Sequence, residues 1–262
     1  MPEIITSPSN ALIKQVVKLK SSHARKKAGT IVIEGRAELE LALKAQIEIN
    51  TLLMDTTLTQ GKGWLHQLKG LNTQYVSTEI FKKISSREHP DGFLGLAKPR
   101  YYNFDRIILN ETPLLIVLEA VEKPGNLGAI LRTAEAAGVD AVLVCDPRTD
   151  IYNPNVIRSS LGTVFSQQIV VCQTDEAIKW LRDKNINVYA TTPDAGKNYF
   201  DSDFKRAAAI VIGTEHEGLS QEWLEAADEK IKIPMVGKID SLNASVSAAI
   251  VVFEAIRQRQ LK

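Results

Sequence analysis

Apolar positions recur along this chain in two rhythms. Leu12, Val16 and Leu19 fall on one face of a segment opened by Ser7-Pro8-Ser9, which predicts a helix over Asn10–Leu19. A basic connecting stretch of small residues, 21–29, follows. Strands are then expected over Thr30–Glu34, Ile49–Met54, Gln74–Val76 and Gly92–Ala97, with helices over Ala37–Lys44, Trp64–Leu68 and Thr78–Ile84. This predicts a small α/β domain over residues 1–103; Lys98–Asp105, with Pro99, Tyr101 and Tyr102, reads as the passage out of it, and the linker is bounded at 104–111.

From residue 112 the apolar runs become continuous. Strands are expected over Leu114–Leu118, Ala141–Cys145, Gln168–Val171, Val188–Ala190, Ala209–Ile212 and Lys230–Ile233. Helices are expected between and after them over Leu127–Ala137, Asn153–Leu161, Asp175–Lys184, Gln221–Ala226 and Leu242–Arg259. Strands without polar alternation, separated by helices, argue for a parallel sheet covered on both faces. Residues 112–262 are therefore expected to form a second α/β domain.

Composition adds a soluble globular class, at 44% hydrophobic and 24% charged residues. No apolar run is long enough to span a bilayer, and the first residues carry no secretory pattern, so a cytoplasmic location without membrane contact is expected. Cys145 and Cys172 lie inside apolar runs and read as reduced core residues; no metal-ligand spacing occurs, and no metal is expected. The net charge of +1 hides an asymmetry, with residues 1–103 at +6 and residues 104–262 at −5. A basic part joined to an acidic one suggests that the first meets a polyanion.

Three segments carry candidate chemistry. The first is Glu122-Lys123-Pro124-Gly125-Asn126-Leu127-Gly128, leading to Arg132. A helix start after a strand offers unpaired N–H groups and a positive dipole end, Asn126 is a candidate cap, and Arg132 supplies a charged fork. Alternatively Arg132 pairs with Glu135 on a solvated helix face. Gly125 and Gly128 also invite a dinucleotide reading, but the full glycine fingerprint and a Walker A loop are both missing. The second segment is Gly213-Thr214-Glu215-His216-Glu217-Gly218, after an apolar strand; by itself it reads equally as a tight turn with solvated carboxylates. The third runs from Ile233-Pro234-Met235 into Ser241-Leu242-Asn243-Ala244-Ser245, where a helix rich in small residues begins.

In order and spacing these three segments resemble the motifs of the SpoU (TrmH) class of RNA ribose 2′-O-methyltransferases, within the SPOUT superfamily. The resemblance implies an α/β fold whose parallel sheet ends in a deep carboxy-terminal trefoil knot, an obligate homodimer, and S-adenosylmethionine as cofactor. It places Gly213, Ile233 and Leu242 at the cofactor, with Thr192 and Glu215 as further members of that pocket. It places Asn126, Arg132, Glu217, Asn243 and Ser245 at the polar catalytic positions, Arg132 serving the partner subunit's pocket. Two departures stand out: His216 occupies a position where glycine is usual, and Glu122-Lys123-Pro124 replaces the more frequent Asp-Pro.

Ile31-Val32-Ile33-Glu34-Gly35-Arg36 and His89-Pro90-Asp91-Gly92-Phe93 resemble the ribosomal-protein-like substrate-binding domain of ribosomal RNA members of that class. Arg25, Lys26, Lys27 and Arg36 are the expected phosphate contacts. The resemblance implies 2′-O-methylation of large-subunit (23S) ribosomal RNA. Transfer RNA as substrate, or a non-catalytic RNA-binding or ribosome-assembly role, stand as alternatives.

Overall fold

The computed structural model describes residues 3–59, 68, 70–214 and 217–260. The chain divides into two compact units, residues 1–100 with 151–166, and residues 101–150 with 167–262.

In the first unit the order is β1 (Ile4–Ile5), α1 (Ala11–Lys18), α2 (Ser22–Ala28), β2 (Ile31–Glu34), α3 (Arg36–Lys44), β3 (Ile49–Met54), β4 (Thr73–Val76), α4 (Thr78–Ile84) and β5 (Phe93–Ala97). Asn10 caps α1 by accepting from Leu12 N; Val16 turns inward as the spacing predicts, while Ile13 takes the buried place expected of Leu12, which stays half-buried. With Leu19 they pack on Val32, Leu53, Val76, Phe81, Leu94 and Leu96. The sheet runs β1-β4-β3-β5-β2, with β5 antiparallel to both neighbours. The segment 21–29, expected as a connection, contains α2; its sequence has no apolar stripe, so periodicity could not reveal it. The helix expected over 64–68 falls almost wholly outside the described residues.

The second unit contains β6 (Leu114–Glu119), α5 (Pro124–Ala137), β7 (Ala141–Cys145), then, after α6 (Pro154–Ser159) of the first unit, β8 (Ile169–Cys172). It continues with α7 (Thr174–Asp183), β9 (Asn187–Thr191), β10 (Lys197–Asn198), β11 (Ala208–Ile212), α8 (Gln221–Ala226), β12 (Glu229–Lys232) and α9 (Ala244–Gln260). Its sheet is parallel throughout, in the order β10-β12-β9-β11-β6-β7-β8. The central strands β6, β7 and β11 are buried at every residue, which is why they read as unbroken apolar runs. Leu115, Val117, Leu143 and Val211 meet Leu181 of α7 and Trp223 of α8 in one core cluster. Trp223 is fully buried, and its indole N–H donates to Thr174 Oγ1. Helices α5 and α9 pack on each other, and α9 on β11.

Two boundary expectations change. Residues 104–111, expected as a linker, pack on the second unit: Phe104 stacks on Trp180 at 5.1 Å, and Ile107 and Leu109 join the same core. Apolar side chains there gain more by burial than a free linker allows. Residues 151–166 belong with the first unit, where Tyr152 stacks on Phe165 and the Arg100 guanidinium donates to Ala45 O and Phe165 O. Cys145 and Cys172 are both buried in the core as free thiols. No helix among the described residues is long and apolar enough to cross a membrane, and no cluster of potential metal ligands occurs among them.

Candidate active site

The three segments singled out in the sequence meet at the carboxyl ends of the parallel strands, where open α/β sheets receive ligands. β6 ends at Glu119, and α5 begins at Pro124, whose fixed φ suits a first helical position. Asn126 is therefore not the cap expected of it. It lies in the first turn, where its Oδ1 accepts from Asn243 Nδ2 at 3.1 Å. Asn243 itself caps α9, its Oδ1 accepting from Ser245 N at 3.0 Å and from Ser245 Oγ at 2.6 Å. The packing of α5 on α9 thus joins three expected site residues into one polar chain.

Arg132 is exposed on α5, and among the described residues it makes no hydrogen bond or ion pair. The alternative pairing with Glu135 is not formed; Glu135 accepts from Gln167 Nε2 at 2.6 Å instead. A guanidinium with five unused donors is available to an anionic or developing anionic oxygen.

After β11 the chain closes a tight loop. Thr214 N donates to Gly218 O at 3.0 Å, and Glu217 N to Thr214 Oγ1 at 3.0 Å. Gly213 is dictated by this closure: a Cβ there would stand 2.3 Å from the carbonyl of Gly218. The far end of the loop is held from β6, where the buried Glu119 accepts from Ser220 N at 2.8 Å. Glu215 and His216 lie outside the described residues.

A cleft of about 150 Å³ opens here, lined by Val121, Lys123, Asn126, Gly213, Thr214 and Ala244 together with Glu122, Arg148 and Glu217. Cofactor pockets ordinarily hold roughly 300–1,000 Å³, so this cleft accounts for only part of such a site. Of the expected cofactor residues among the described ones, Gly213 lines it, and Thr192, Ile233 and Leu242 do not. Thr192, Ile233 and Leu242 are half-buried nearby in the chain's topology, after β9, after β12 and before α9, and β9 lies between β11 and β12 in the sheet. Thr192 N donates to Ile231 O, which ties the exits of β9 and β12 together.

Arg148 and Glu122 were not among the expected site residues. Arg148 pairs with the Glu122 carboxylate and reaches Glu217 Oε2 at 3.5 Å. The two carboxylates, Glu122 foremost, push the guanidinium's pKa above its ordinary value. The signal in the sequence was slight: Asp146-Pro147-Arg148 directly after an apolar strand, a position that puts polar residues at the ligand edge of the sheet.

In the first unit, one expected phosphate contact is overturned. Arg25 is buried, and its Nη1 donates to Leu19 O and Lys20 O at 2.9 Å each, closing the carboxyl end of α1. Burial of a guanidinium requires such partners, so its charge is spent inside the domain. Lys26 and Lys27 on the same helix are exposed, and Arg36 Nε donates to Glu40 at 3.0 Å. Arg25→Ala is expected to lower unfolding stability by about 2 kcal/mol, read from urea denaturation. Joint Lys26→Ala and Lys27→Ala substitution should leave stability within about 0.5 kcal/mol; equal losses in both would mean the two kinds of position are not distinct.

Residues 113–253 match the sequence model of the SpoU rRNA methylase family, and residues 10–95 that of an MRM3-like substrate-binding domain. The chain is 39% identical over 203 residues to the 23S rRNA (guanosine-2′-O-)-methyltransferase RlmB of Photorhabdus laumondii, covering 74% of this chain and 83% of that one. A crystal structure of an RNA 2′-O ribose methyltransferase superposes with a TM-score of 0.89 at 39% identity, over 99% of this chain and 100% of the other. The AdoMet-bound rRNA methyltransferase of Sinorhizobium meliloti superposes with a TM-score of 0.89 at 28% identity, over 99% of each chain.

Proposed function

This chain belongs to the SpoU rRNA methylase family, and from that premise we propose that it transfers a methyl group from S-adenosylmethionine to the 2′-oxygen of a ribose in 23S ribosomal RNA. The observation that carries the reading furthest is Arg132, a guanidinium without a partner among the described residues, on the helix that also presents Asn126 to the α9 cap.

The residues present fit the cofactor. Thr192, Gly213, Ile233 and Leu242 offer backbone polar groups and aliphatic surface beside the carboxyl ends of neighbouring strands, a donor set suited to a nucleoside and not to a metal. Glu215 is assigned to the same pocket from the resemblance. When bound, S-adenosylmethionine supplies an electrophilic sulfonium methyl whose sulfur leaves as a neutral thioether.

The protein's task is alignment and charge stabilisation. A ribose hydroxyl is a poor nucleophile; its oxygen gains negative charge as its O–H proton passes to water, and that charge is consumed as the new C–O bond forms and the methyl–sulfur bond breaks. Arg132 donates to that oxygen and favours the developing alkoxide. The Asn126–Asn243–Ser245 chain fixes side-chain amides at the start of α5 and α9, so the groups that orient the ribose are held before it arrives. Glu217 completes the polar set.

The active form is a homodimer built on α5 and α9. Val246 and Phe253, seven residues apart on α9, leave 46% and 48% of their surface exposed, an apolar stripe suited to a second copy. Arg132 then serves the partner subunit's pocket. The end of the second unit, after β12, is threaded as a deep trefoil knot; the insertion of β11 between β9 and β6, with α9 returning to α5, supports that topology. The first unit is a ribosomal-protein-like RNA-binding domain acting through Lys26, Lys27 and Arg36, and the enzyme works in the cytoplasm.

The test is transfer of labelled methyl from S-adenosylmethionine to unmodified 23S ribosomal RNA, with transfer RNA in parallel and digestion to nucleosides. A 2′-O-methyl nucleoside from the ribosomal RNA is expected. Label in transfer RNA alone would move the substrate, and label in neither RNA nor ribosomal precursor particles would overturn the reading.

A further inference from the structure

We propose that Arg148 is a substrate-binding residue of this site, which exchanges its bond to Glu217 for the phosphate that flanks the target ribose when RNA enters. The proposal rests on the ribose 2′-O-methylation reading above. Arg148 follows β7 and is tied to the start of the first motif through its side chain and to the residue just before it through its backbone, since its N–H donates to Val121 O at 3.3 Å. Of its two carboxylate contacts, the one to Glu122 is close, whereas the one to Glu217 sits at 3.5 Å. The longer contact is the one that gives way. Arg148, Glu122 and Glu217 side chains are 52%, 50% and 72% exposed. Solvent-exposed pairs of this kind are screened and weak, so a change of partner costs little.

The charge of the cleft supplies the reason for the exchange. Its lining carries two carboxylates, Glu122 and Glu217, and two cations, Lys123 and Arg148. A 2′-hydroxyl never arrives alone, because the neighbouring 3′-oxygen bears a phosphodiester. A ribose presented to this cleft therefore brings a negative charge to a rim that already holds two. Lys123 offers a point charge, but only a guanidinium presents a planar fork that matches phosphate oxygens two at a time. Arg148 can keep Glu122 on Nη1 and take the phosphate on its other edge, with Nε and with Nη2, the nitrogen now turned to Glu217. The same movement releases the Glu217 carboxylate to the reacting centre only when RNA is in place.

Steady-state methyl transfer measured against RNA concentration tests this with Arg148→Gln, Arg148→Lys and Glu122→Gln, at several salt concentrations, beside direct titration of S-adenosylmethionine. Arg148→Gln is expected to raise KM for RNA about tenfold, with the larger part of the loss in KM and not in kcat. Its log–log salt dependence should be shallower by about one phosphate contact. Arg148→Lys should recover part of the loss. Glu122→Gln should shift KM the other way, downward, because the guanidinium then has one competitor fewer. If Arg148 were only a brace between the two loops, Glu122→Gln would impair the enzyme in the same direction as Arg148→Gln, and cofactor affinity would fall in both. That pattern, or an unchanged salt slope, would overturn the proposal while leaving methyl transfer by the unaltered protein intact. Absence of transfer by the unaltered protein would instead strike at the underlying reading.

Discussion

Arg132→Ala is expected to lower kcat for methyl transfer by about 10²–10³-fold, the usual effect of removing one preorganised donor to a developing oxyanion. Arg132 is exposed and makes no contact that the fold depends on, so the thermal midpoint should stay within about 2 °C. The side chain carries no structural duty that would blur the result. The loss should lie in the chemical step, since a donor whose partner gains charge only in the transition state contributes little to ground-state binding. Single-turnover rates with titrated cofactor separate the two. A variant that loses cofactor affinity and rate together would move Arg132 from the reacting oxygen to the cofactor pocket. A normal rate would remove it from the site.

Gly213→Ala is expected to weaken S-adenosylmethionine binding by at least about tenfold, or 1.4 kcal/mol, through a cause unrelated to charge. The added Cβ would lie 2.3 Å from both the carbonyl carbon and oxygen of Gly218 and 2.7 Å from Leu219 N. All three are backbone atoms, held by the Thr214–Gly218 hydrogen bond on one side and by Glu119 on the other. No side chain can swing away to make room, so the loop must open. Binding isothermal titration reads the result; affinity within twofold of the unaltered protein would mean that the loop's tight closure does not shape the pocket. The two variants also test subunit sharing. If Arg132 serves the partner's pocket, randomly mixed dimers of the two variants should regain about a quarter of the unaltered activity, since half of them carry one intact site. No recovery would place Arg132 in its own subunit's pocket.

The residues of the site were legible in the sequence to unequal degrees, and the differences have physical causes. Asn126, Gly213 and Asn243 stood out because each lies where a strand ends or a helix opens, through residues of restricted conformational use, whereas Arg132, in the middle of α5, stood out only through the family resemblance. Arg148 and Glu122 did not, because an exposed ion pair leaves no periodic trace, and their pairing joins two loops in the folded chain. Arg25 was misread for the opposite reason. Its charge placed it with Lys26 and Lys27, and only the turn from α1 into α2 directs its guanidinium inward to two carbonyl oxygens while its neighbours face water.

The sequence by itself determined the elements of the second unit, the two-residue β10 excepted. Burial on both faces requires unbroken apolar strands, and a one-sided helix such as α7 requires a 3.6-residue apolar spacing; both are local contrasts between core and solvent. Short or uniformly polar elements such as β1, β10 and α2 left no such contrast. Tertiary structure alone decided which strands became neighbours, that residues 151–166 pack with the first unit, and that Asn126 meets Asn243 from far along the chain. Those choices depend on shape and packing between distant segments, which no window of neighbouring residues contains.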